Sequence, residues 1–252
     1  MDSVVTFIKA YSASALITAS GLTALAIAYQ DYCAYVAMGP HGLPATFWGW
    51  RRQLQMSRMA RKDVTIPMPY DIDTVAGTMS PHAKTSFLAE ALPARQGPRP
   101  RIPGFVAPQR QISDVASNEM KDEMASHLQQ LVGANTKTLQ FDLSRLEGPV
   151  PAVQLLDGIC RPSFLTRTRG EIIHVHPPDG STHLVLSLAD SASVIEKGWG
   201  QRHRLSGGLL PWSYTLVYAP RTKDELMVWK NVVLASLQFC SAEHGRIEKP
   251  SL

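Results

Sequence analysis

The amino-acid sequence predicts an α+β fold, a mainly antiparallel sheet with flanking helices, preceded by a single N-terminal transmembrane helix. Three observations predict it. Short runs rich in β-type residues lie at 171–176, 182–188 and 213–218. Apolar residues recur at helical spacing at Met120, Met124, Leu128 and Leu131, and again at Leu226, Trp229, Val233 and Leu237. These strands and helices follow one another without regular βαβ alternation, which favours antiparallel pairing over a parallel sheet. The third observation is that no charged residue lies between Lys9 and Asp31.

As a helix, that uncharged stretch spans roughly 30 Å, about the thickness of a bilayer's hydrocarbon core. Ser12, Ser14, Thr18, Ser20 and Thr23 dilute its hydrophobicity, while Gly21 and the alanines leave room for a neighbouring helix. A secretory signal would have a more basic start than Lys9 alone. The expectation is a membrane anchor over 1–38. A basic juxtamembrane segment follows at 39–66, where Arg51, Arg52, Arg58, Arg61 and Lys62 would lie against anionic lipid on the cytoplasmic side. This explains the cluster without a nucleic-acid partner. It predicts a single-pass protein whose catalytic domain faces the cytosol. Three cysteines, Cys33, Cys160 and Cys240, form neither an even set nor a metal-type spacing, which suits a reducing compartment.

Proline density over 67–112 rules out a long helix or a central strand there. Phe87, Leu88, Leu92 and Phe105 make it a segment draped on the body rather than a free linker. The body itself is 113–252. Its first helix ends near Gly133, a weak strand follows at 137–143, and the last helix starts after Pro220. A charged fraction of 18% beside a hydrophobic fraction of 44% describes an ordinary globular chain and excludes a disordered one.

Half of the eight histidines crowd between Glu171 and His203. Alternation along a strand places His174 and His176 on one face and Glu171 on the other, with a bulge as the way to rotate Glu171 inward. Pro177-Pro178-Asp179-Gly180 is a strong turn signal, so the next strand returns as a hairpin and brings His183 to the same face, with His176 opposite His183. Three uses of such a face stand open. His174, His176 and His183 (with His203 a further ligand) suit a mononuclear metal. Alternatively, one histidine acts as base while the others and Arg202 hold an anion. Otherwise the rings simply alternate on a polar sheet. Trp199 offers an aromatic wall for a planar substrate, and its alternative use is core packing.

Several strings extend this reading. Glu171-Ile172-x-His174-x-His176, His183-Leu184, and Lys197-Gly198-Trp199-Gly200-Gln201-Arg202-His203 resemble the fungal luciferase family, as does Tyr218-Ala219-Pro220-Arg221. Leu92-Pro93-x-Arg95-x-Gly97-x-Arg99-Pro100 and Gln109-Arg110-Gln111 resemble the family's proline-rich segment. The loop between His176 and His183 departs from the luminous members in length and in its Pro-Pro-Asp-Gly content. The resemblance implies a membrane-anchored enzyme that adds O2 to a hydroxylated styrylpyrone without flavin or nicotinamide. It further implies an enolate, an endoperoxide, loss of CO2 and an excited product.

The combined expectation is a luciferase-like oxygenase acting with O2 on a small enolisable aromatic, pyrone or polyketide-type metabolite. His174, His176, His183, Arg202 and His203 are the expected catalytic residues, and Trp199 and Gln201 the expected substrate contacts. No cofactor is called for, with a mononuclear metal on His174, His176 and His183 left open. The rivals are a non-oxidative cyclase or isomerase using the same histidines, and a non-catalytic membrane-tethered binding protein.

Overall fold

The computed structural model describes residues 2–249, with side chains from Ala15 onward. In chain order the helices are α1 (Asp2–Ala37), α2 (Phe47–Ser57), α3 (Ile72–Met79), α4 (Asn118–Ala134), α5 (Leu188–Glu196) and α6 (Lys223–Cys240). The strands are β1 (Leu139–Leu143), β2 (Pro151–Leu155), β3 (Glu171–Val175), β4 (Thr182–Val185), β5 (Gly200–Arg202) and β6 (Tyr214–Val217). They form one sheet in the order β1-β2-β3-β4-β6-β5. Every neighbouring pair is antiparallel, as the absence of βαβ alternation predicts.

The helix starts have local causes. Thr46, Asp71, Ser117, Ser187 and Thr222 each accept a hydrogen bond from a backbone N–H of the first turn. The predicted stop at Gly133 falls slightly short: α4 runs on to Ala134, where the Asn135 side chain donates to the Leu131 carbonyl at 2.8 Å. Helices α2, α3 and α5 are too short to announce themselves by periodicity. Helix α6 lies against β3 and β4. Its Trp229 indole donates to Thr182 Oγ1 at 2.9 Å and its Ser236 hydroxyl to the Val185 carbonyl at 2.7 Å.

The transmembrane expectation is not upheld. Among the described residues no helix is long and apolar enough to cross a membrane. The hydroxyl residues of α1 lower its hydropathy, and its carboxyl end is occupied by the protein itself. Tyr35 is fully buried and donates to the Pro44 carbonyl at 3.0 Å, and the Trp50 indole donates to Asp31 Oδ2 at 2.7 Å. The predicted membrane partner and the single-pass, cytosol-facing localisation rested on that helix and fall with it. The basic cluster has other roles: Arg51 lies over the Trp48 ring, and Arg61 pairs with Asp63 while covering Trp212.

Candidate functional site

The hairpin of β3 and β4 forms, two residues out of the predicted register, a shift that keeps each side chain on its predicted face. His174, not His176, lies directly opposite His183, and Val175 lies opposite Thr182. His176 sits just past the strand, at the start of a tight turn. There Gly180 adopts φ +81°, and a Cβ at that position would meet Ala116 Cβ at 2.7 Å. Asp179 closes the turn by accepting from the Ser181 N–H at 2.8 Å. The turn thereby brings Ser181 Oγ to 2.8 Å from His176 Nδ1. Despite the shift, His174, His176 and His183 do converge. Ring centroids are 5.0 Å apart for His174–His176, 5.1 Å for His174–His183 and 4.8 Å for His176–His183.

His203 joins them, its ring centre 5.0 Å from that of His183. Its Nδ1 accepts from the Leu205 N–H at 3.0 Å, which fixes the neutral tautomer with the proton on Nε2. Tyr214 completes the group, stacked on His183 at 5.1 Å between ring centres. All four imidazoles are buried. Burial, then the neighbouring rings and Arg110, pushes His176 and His183 well below the ordinary value of 6.5. Burial above all takes His203 down to about 3.

Glu171 turns inward, contrary to strict alternation. The pairing of β2 with β3 shifts between Val153 and Gln154, so Glu171 leaves its ideal face. Its Oε1 pairs with His174 Nδ1, while Oε2 accepts from Ser144 Oγ and the Arg145 N–H, each at 2.8 Å. Burial alone would raise this carboxyl. The His174 ring and these donors more than offset that and hold it below its usual range.

Two charged residues at the site lay outside the sequence argument. Glu147, in the turn between β1 and β2, lies 3.8 Å from His176 Nε2 and is paired with Arg110. Burial raises the Glu147 carboxyl against the pull of nearby positive charge. Arg110 is held by the carbonyls of Met38 at 3.1 Å and Pro40 at 2.8 Å, which ties the end of α1 to the site. This ion pair stands beside His176. No local signal in the sequence marks Glu147. Arg110 did stand in the Gln-Arg-Gln string, without an assigned role.

Arg202 goes elsewhere. Gln201 pairs with Leu216 and Arg202 with Thr215, so consecutive residues of β5 point to opposite faces, and Leu216 shares the row of His183. Arg202 therefore lies on the face away from the histidines. Its guanidinium donates to the carbonyls of Trp212 at 3.0 Å, Ile66 at 2.8 Å and Pro67 at 2.7 Å, and stands over the Tyr70 ring. Trp199 is buried in the core with its indole N–H on the Pro93 carbonyl at 2.6 Å. Gln201 accepts from the Tyr218 hydroxyl at 3.3 Å and borders a basic surface cavity of about 400 Å³ with Arg61, Lys62 and Arg204. A second cavity, about 240 Å³, lies by Phe164 and Trp212. Neither cavity is lined by a histidine.

The Luciferase domain family matches residues 169–236, the span that holds β3, β4, β5, β6 and all four site histidines. A luciferase of Neonothopanus nambi is 32% identical over 92% of this chain and 89% of its own length. Luciferases of Armillaria ostoyae and Armillaria mellea are each 30% identical. These two matches cover 86% and 83% of the chain, and 84% and 80% of the relatives. No solved structure matches.

Proposed function

Because the chain belongs to the fungal luciferase family, we propose that it is an oxidoreductase acting with O2 on a small enolisable metabolite of aromatic, pyrone or polyketide type. The observation that carries this reading is the convergence of His174, His176, His183 and His203 in a buried site. Imidazoles whose charged form is disfavoured stay unprotonated at neutral pH and keep a lone pair for a substrate proton. His183 is the best placed of them. Its Nε2 is buried and has no hydrogen-bond partner, while its Nδ1 lies 3.2 Å from His174 Nε2. His174 in turn rests on Glu171. A proton taken at His183 is thus backed by an imidazole and a carboxylate.

Deprotonation of an enol gives an electron-rich carbanion equivalent, and that species supplies the electrons that O2 accepts. In this reading Arg202 is no longer the anion stabiliser, since its donors are already spent on backbone carbonyls. The His203 Nε2–H and the Arg110 guanidinium, whose Nε is buried without a partner, take that part.

An oxygen electrode tests the proposal with hydroxylated pyrones as substrates. The expected result is O2 consumption in step with substrate loss, and no turnover under argon. Turnover under argon would favour a cyclase or isomerase, and binding without turnover would favour a binding protein.

A further inference from the structure

The nitrogen atoms of the three hairpin histidines converge more than hydrogen bonding explains. His174 Nε2 lies 3.2 Å from His176 Nε2 and 3.2 Å from His183 Nδ1. One ring nitrogen carries either one in-plane lone pair or one proton, so a hydrogen bond accounts for only one of these two contacts. An ion bound at about 2.0–2.1 Å in tetrahedral geometry sets its nitrogen ligands about 3.3 Å apart. The donor atoms of His174, His176 and His183 all lie within 4.8 Å of one another.

The surroundings match what metal-bound histidines need. A ligating imidazole is normally oriented by a hydrogen bond at its other nitrogen. Here Glu171 holds His174 Nδ1 and Ser181 Oγ holds His176 Nδ1, which leaves both Nε2 atoms aimed at the common point. The carboxylates of Glu171 and Glu147 supply negative charge to balance a divalent cation, with Arg110 offsetting part of it. Tyr214 Oη is a further buried polar atom without a partner beside the His183 ring. Three neutral nitrogen donors and no thiolate suit a first-row transition ion better than magnesium or calcium.

We propose that His174 Nε2, His176 Nε2 and His183 Nδ1 form a three-histidine site for one divalent first-row transition-metal ion, with Glu171 and Ser181 as positioning residues. The inference rests on the functional reading only for the location of the chemistry: with the ion on Nδ1 the neutral His183 ring carries its proton on Nε2, so a bound ion and a free His183 base are alternatives at that ring. The ion competes with protons for the same lone pairs.

The test uses the full chain, freed of metal by a chelator and titrated with Co(II) alone, whose visible absorption reports a tetrahedral nitrogen environment. One Co(II) per chain is expected, lost in His174→Ala and His183→Ala and kept in His244→Ala, a histidine at the surface. Glu171→Gln keeps all three rings and is expected to weaken binding about 10–100-fold, so the test survives if the alanine variants fail to fold. No Co(II) uptake by the wild type overturns the proposal. So does undiminished uptake by His174→Ala, or an unchanged affinity in Glu171→Gln. Oxygen consumption by the metal-free sample separates the two readings: uptake there without Co(II) binding removes the metal site and leaves the oxygenase. Co(II) binding without any O2 consumption does the reverse.

Discussion

Two polar regions of this molecule share a sheet and differ in what they leave free. On Arg202 itself every donor group is spent, since three backbone carbonyls take the guanidinium, and the nearby Trp199 indole is held by Pro93. Tyr70 Oη, next to Arg202, is left without a partner there. Around His183 the ring Nε2, Tyr214 Oη and Arg110 Nε are buried with no partner. A buried polar group that is satisfied holds structure together, while one left unsatisfied costs free energy that function has to explain. The Gly-Trp-Gly-Gln-Arg-His string therefore contributes one residue to the site, His203, and uses Trp199 and Arg202 to fasten the edge strand to the loops beside it.

The contrast breaks most visibly at Arg202. Arg202→Met leaves three part-buried carbonyls without their donors and is expected to cost roughly 2–4 kcal/mol of stability, read from urea unfolding. An unchanged unfolding midpoint with lost activity would instead place Arg202 among the catalytic groups. Acid separates the regions more gradually. Burial lowers His203 to about 3, and burial first, then Arg110 and Lys230 respectively, lowers His41 and His127 to about 4, against an ordinary 6.5. Below about 6.5 the unfolded chain takes up protons that the folded chain refuses. Stability is thus complete at neutral pH and falls as pH drops toward 4. His203→Gln is expected to flatten that slope in unfolding measured from pH 7 to 4, and an unchanged slope would contradict it. The smallest effect belongs to Trp199→Phe, which loses one hydrogen bond to Pro93 at about 1 kcal/mol and leaves the histidines in place.

Much of this was legible locally. Period-two alternation and the Pro-Pro-Asp-Gly turn placed β3 and β4 and brought three imidazoles to one face, and helical spacing found α4 and α6. The same alternation, applied to Arg202 and His203, separates them, since neighbours on a strand point apart; reading the string as one motif obscured that. Glu171 needed the irregular pairing with β2, which depends on a strand far from the histidines in sequence. Glu147 and Arg110 meet His176 only through the tertiary fold. Helix α1 shows the opposite error. Absence of charge predicts a membrane span, whereas its hydroxyl residues, and the packing of Tyr35 and Asp31 onto the domain, answer the local pattern differently.

The central claim is that chemistry belongs to the unspent face. Oxygen consumption with a hydroxylated pyrone, compared between the wild type and His183→Ala at matched folded fraction, tests it most directly. The account predicts a loss of about 10²–10⁴-fold in rate for the variant, with its unfolding midpoint close to that of the wild type. Undiminished oxygen consumption by His183→Ala would contradict it.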